Sequence, residues 1–156
     1  MTPYENVTDR FIRKIKQDKE YFCIGAVTEE EFEEILSQRT LELLEDSLNE
    51  IQPLIAVQQN INFLDKNDFM EQFNFDLTAI EEDLISDMMV VKYFDEELVK
   101  LKTMQKYLGD DINVFSPAAE RTSFINMITY KRNLFSTKLA NYNTKHRLTG
   151  KFLLPY

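Results

Sequence analysis

One imidazole, His146, and one thiol, Cys23, are the side chains of this 156-residue chain best suited to neutral-pH base or nucleophile chemistry. A nucleophile–base pair would need Cys23 or a serine activated by His146, which stands between Lys145 and Arg147 in a basic stretch. That setting reads as a solvated or interface histidine. Di-iron sites in helical bundles place a carboxylate three residues before each ligating histidine, and here that position is Asn143. The acidic clusters Glu29 to Glu34 and Glu81 to Asp83 fit helix first turns and solvated faces better than metal ligands or an acid–base pair. Phosphate-cradling loops need several close glycines, and only three scattered ones are present. Met88 and Met89 read as core rather than as the wall of a ligand groove. The expectation is a protein that is not an enzyme and holds no cofactor or metal.

The elements that would position these residues are helices. Three Gly and four Pro are too few for the many tight turns of a β-sandwich or barrel. Tyr4, Val7, Phe11 and Ile15 recur at steps of three or four behind Thr2-Pro3, so a first helix is predicted over about Pro3 to Lys19 with Thr2 as its cap. Thr28-Glu29-Glu30-Glu31 reads as a capping box for a second helix, whose stripe Phe32, Ile35, Leu36, Leu43, Leu44, Leu48 and Ile51 ends before Pro53. Leu54 to Phe75 has no sustained period and is expected to be irregular, with a short strand or a turn of helix. Thr78-Ala79-Ile80-Glu81 is a second capping box, followed by Ile80, Leu84, Met88 and Val91 to about Tyr93. Asp95-Glu96-Glu97 then suits either a continuing helix or a new first turn, leading to Leu98, Leu101, Met104, Leu108 and a stop at Gly109. Ser116-Pro117 is a cap and first position for a long last helix carrying Phe124, Met127, Ile128, Leu134, Phe135, Leu139 and Tyr142 to about Asn143.

The predicted fold class is therefore all-α: a helical bundle of four to five helices with an extended C-terminal tail. Residues 1–147 form a single helical domain and residues 148–156 a docking tail. The tail joins Lys145, His146, Arg147 and Lys151 to Phe152, Leu153, Leu154 and Tyr156, and so much apolar surface at a terminus calls for something to cover it. With one cysteine no intrachain disulfide can form, which suits a cytosolic origin. Met1 to Lys19 lacks the apolar core of a signal peptide, and no run of about eighteen apolar residues marks a membrane span.

The net charge of −9 is unevenly spread: residues 28–116 carry 22 acidic against 6 basic side chains, residues 117–156 one against seven. An acidic body with a basic last quarter suits docking onto an acidic partner, another copy included, and argues against general attraction to nucleic acid. The tail's aromatic and basic residues could also stack on a single strand, but they form no repeated pattern.

Tyr93-Phe94, Gln105-Lys106-Tyr107-Leu108-Gly109-Asp110, Val114-Phe115-Ser116-Pro117-Ala118 and Arg147-Leu148-Thr149-Gly150-Lys151 give the second half its character, with Phe75-Asp76-Leu77-Thr78 upstream. Together they resemble the small head-tail connector (neck or adaptor) proteins of long-tailed bacteriophages of Gram-positive hosts. The resemblance covers about half the chain and rests on short loop and cap signatures. It implies a structural virion protein, made in the host cytoplasm, that forms a homo-oligomeric ring, commonly twelvefold, beneath the portal. Its partners would be other copies, the portal protein and the next neck, stopper or tail-completion protein, with DNA passing through unread and no membrane contact. A head-to-tail ring needs two different complementary surfaces per subunit. The expected interface residues are Asp110, Asp111, Val114 and Phe115 in the loop before the last helix, and Lys145, Arg147, Leu148, Lys151, Phe152, Leu153, Leu154 and Tyr156 in the tail. The rival reading is a small acidic inhibitor or DNA mimic, for which the −16 of residues 28–116 would be the working feature.

Overall fold

The computed structural model describes residues 1–17, 29–108 and 118–154, without the side chains of 16, 17, 29, 31–38, 100–108 and 118–121. Helix α1 (Tyr4–Gln17) buries Tyr4, Val7, Phe11 and Ile15, the residues its spacing singles out. Its entry differs from the predicted cap. The Thr2 hydroxyl accepts the Leu77 amide at 2.9 Å, and Pro3 bridges Gln72, so this stretch continues a small sheet before the helix starts at Tyr4. Tertiary pairing takes the hydroxyl that local geometry would give to a cap. Helix α2 (Glu29–Ile51) ends where Pro53 requires, running into a 3₁₀ turn at Gln52–Leu54. Leu43, Leu44, Leu48 and Ile51 face inward. The predicted cap Thr28 lies outside the described residues.

Residues 55 to 77 are the irregular segment. They hold a second 3₁₀ turn at Val57–Gln59 and a minimal hairpin, β1 (Lys66–Asn67) with β2 (Gln72–Phe73), in the register Lys66 to Phe73 and Asn67 to Gln72. At its tip the Asn67 side chain accepts the Phe69 and Met70 amides at 3.1 Å each, and Glu71 adopts the left-handed conformation. Gln52 fastens the segment, donating to the Ile61 carbonyl at 3.1 Å and accepting the Phe63 amide at 2.7 Å.

Helix α3 (Ala79–Leu108) opens on the capping box read from the sequence: the Thr78 hydroxyl accepts the Glu81 amide at 3.3 Å, and Glu81 Oε2 accepts the Thr78 amide at 2.7 Å. The helix does not stop near Tyr93. Asp95, Glu96 and Glu97 continue it, because their carboxylates meet Arg132, Arg39 and Arg39 respectively instead of opening a new first turn. The last described residue of α3 is Leu108; Gly109 and Ser116 lie outside the described residues. From Leu84 to Phe94 only Asp87 and Lys92 escape full burial, since α1, α2 and α4 (Ala118–Thr144) all pack against α3. Ile80 is the exception to the predicted stripe and is exposed.

The core is stitched by rings. Phe11 of α1 meets Tyr93 edge-on at 6.1 Å, Tyr93 meets Phe94 at 5.9 Å, and Phe94 meets Phe124 of α4 at 6.0 Å. Arg39 of α2 lies 5.6 Å over the Tyr93 ring. Fully burying each such ring contributes about 1.5–3 kcal/mol. The molecule is an all-α bundle of four described helices, and among the described residues none is long and apolar enough to cross a membrane. Met88 and Met89 are core.

Candidate docking surface

The C-terminal tail leaves the bundle through a buried charge knot. Glu81, at the third position of α3, is 0 % exposed. Arg147 Nε donates to its Oε1 at 2.5 Å and an Arg147 Nη to its Oε2 at 2.7 Å, the planar two-pronged match of guanidinium to carboxylate. The Tyr142 hydroxyl donates to Oε1 at 2.7 Å. The same Arg147 Nη also donates to the Asp76 carbonyl at 2.8 Å, and the guanidinium lies over the Phe75 ring at 5.9 Å. Burial pushes the Glu81 carboxyl upward, but the hydrogen bonds from Arg147, the Thr78 amide and Tyr142 outweigh it and hold the group below the ordinary carboxylate range. Burial and the bond to Glu81 raise the Tyr142 hydroxyl.

Gln59 completes the knot from the irregular segment. Only 1 % exposed, it donates to the carbonyls of Tyr142 and Lys145 at 2.7 and 2.6 Å and accepts the Arg147 amide at 2.9 Å. The Tyr142 carbonyl lies in the last turn of α4, where helical partners run out, and the Lys145 carbonyl and Arg147 amide follow just after the helix. Asn143 does the converse, donating to the Leu54 carbonyl and accepting the Ala56 amide, both at 2.9 Å.

Beyond the knot the chain doubles back. The His146 amide donates to the Lys151 carbonyl at 2.8 Å and the Leu153 amide to the Thr144 carbonyl at 2.9 Å, with Gly150 at a positive φ of 65° closing the turn. His146 Nδ1 accepts the amides of Leu148 and Thr149 at 3.3 and 3.4 Å, so the imidazole braces the turn. Lys145 Nζ sits 5.1 Å over the Phe152 ring. The result is a held turn that shows Leu148, Phe152 and Leu154 to solvent at 69, 75 and 83 % exposure, with Lys145 and Lys151 beside them.

A second charged cluster ties α1, α3 and α4 together nearby. Lys14 Nζ reaches Asp83 and Asp87 at 2.7 Å each and the Ser86 hydroxyl at 2.7 Å, while Lys138 Nζ reaches the same two carboxylates at 2.6 Å. Between this cluster and the tail lies an open groove of about 810 Å³. Of its cations, Arg10, Lys138 and Arg147 are committed to Glu82, Asp83 with Asp87, and Glu81, while Lys145 sits over the Phe152 ring. Among the described residues no group of three or more His, Cys, Asp or Glu could hold a metal.

Of the sequence-predicted interface residues, the structure gathers Lys145, Leu148, Lys151, Phe152 and Leu154 on the exposed turn. It turns the Arg147 guanidinium inward onto Glu81 and leaves Leu153 half-buried. Asp110, Asp111, Val114, Phe115 and Tyr156 lie outside the described residues. Gln59 and the pairing of Glu81 with Arg147 escaped sequence reading: Glu81 already had a role in its capping box, and nothing local marks a partner 66 positions away. Compared with known proteins, the chain matches no family model, no curated protein and no solved structure.

Proposed function

We propose that this protein is a subunit of a phage head-tail connector, an adaptor ring seated beneath the portal in the virion neck, whose tail residues 148–156 dock on a neighbouring chain. The observation that carries this reading is the contrast at Arg147: the root of the tail is locked into the subunit by buried, fully paired groups, while the residues after it offer apolar and basic surface to water. Such an anchor serves a docking element, because holding its shape beforehand lowers the ordering cost of association. The resemblance of the second half to connector proteins supplies the identity of the neighbours: other copies, the portal and the next neck protein. The acidic body suits a ring through which DNA slides without sticking.

Deleting residues 148–156 leaves Arg147, Glu81, Tyr142 and Gln59 in place and removes only the turn's bonds to His146 and Thr144, so the truncated chain is expected to stay folded. Its loading onto portal-bearing, DNA-filled capsids is expected to be lost. Undiminished loading by a folded truncation overturns the reading.

A further inference from the structure

A second groove, of about 500 Å³, runs along the opposite charge: it lies between the second half of α2 and the β1–β2 hairpin, with Tyr4 of α1 in its wall. Leu44 and Leu48 form its apolar floor, and Leu41 stands half-exposed at its edge. Its rim is acidic. Glu45 and Asp68 share Lys66 at 2.7 and 2.6 Å, and Asp68 also accepts the Tyr4 hydroxyl at 2.8 Å. Glu42, Asp46 and Glu71 are exposed and have no cation within ion-pair distance among the described residues.

The tail turn is the converse surface. Lys145 and Lys151 face no carboxylate among the described residues, and Leu148, Phe152 and Leu154 are bare. The turn cannot be serving its own groove: it is fastened at Arg147 and Leu153 to its own bundle, and none of its residues lines that groove. We infer that the acidic groove between α2 and the hairpin receives the basic, apolar tail turn of a second copy of this chain. Unpaired carboxylates then meet unpaired ammonium groups, and exposed tail side chains cover Leu41 at the groove's edge. Two unlike surfaces joined in this way make a heterologous contact, which repeats from copy to copy and closes a ring when the rotation permits. The inference rests on the connector reading for its setting, but the contact stands or falls on self-association alone.

Charge reversal tests it in the full-length chain. Glu42→Lys with Asp46→Lys, and separately Lys145→Glu with Lys151→Glu, change exposed residues outside the buried knot and keep the wild-type melting temperature. In sedimentation over a concentration series each pair is expected to weaken self-association about tenfold or more at low salt, and the combined fourfold variant to recover it. Equal self-association in wild type and both pairs overturns the contact, as does a fourfold variant no better than either pair, or a wild type that is monomeric at every concentration. Capsid loading is scored apart. Wild-type loading with charge-insensitive self-association overturns this contact and leaves the connector reading standing. Charge-sensitive self-association in a chain that never loads supports the contact and overturns the connector reading.

Discussion

Two of the ion networks that fasten this bundle differ in how much water reaches them. The Glu81–Arg147 knot is closed: the carboxylate has no exposure, and every oxygen has a donor. The Lys14–Asp83–Asp87–Lys138 cluster is larger and has short contacts, yet its side chains remain 12 to 33 % exposed. Removing a partner from a dry site strands a charge that water cannot reach, whereas a wetter site lets solvent replace the missing ion. The smaller network is therefore the more fragile one, and it is the one that holds the tail.

The sharpest way to break this contrast is Arg147→Met, which leaves Glu81 buried without its cation. A loss of about 3–5 kcal/mol is expected by denaturant unfolding, and a loss under a third of that would show that Glu81 finds water. Acid titration comes next in size. Glu81 and Asp83 both titrate lower folded than unfolded, so their contributions are complete above the ordinary values of 4.5 and 3.8 and are lost as pH falls through the folded values. In Arg147→Met the chief group holding Glu81 ionised is gone and burial raises its carboxyl. The stability gap between variant and wild type should thus narrow as pH is lowered through 4.5; a constant gap would detach Glu81 from the effect. The smallest effect belongs to Lys14→Met, about 0.5–1 kcal/mol and shrinking in high salt, because Lys138 still serves both carboxylates. A loss matching that of Arg147→Met would erase the distinction between the two networks.

Local pattern made much of the fold legible. Tyr4, Val7, Phe11 and Ile15 faced inward as their spacing required, Pro53 stopped α2, and the Thr78–Glu81 box opened α3. Such features depend on groups within a few positions of one another. The continuation of α3 past Tyr93 was one of two readings local pattern left open, and Arg39 and Arg132 from other helices, which hold Asp95 to Glu97, decide it. Thr2 likewise serves Leu77 instead of its own helix. The tail's exposed apolar and basic residues could be anticipated from composition; the anchor beneath them could not.

By itself the sequence determined the helical class, the main capping signals, the apolar faces and the unequal spread of charge, because each follows from residue type and short-range spacing. Tertiary structure alone decided which charges are spent and which remain free. Arg147 and Lys145 lie two positions apart in one basic stretch, but only the folded chain brings Glu81 and Gln59 to the first and leaves the second facing solvent. The energy of a charge is set by what surrounds it in space, and those surroundings come from segments more than sixty residues away.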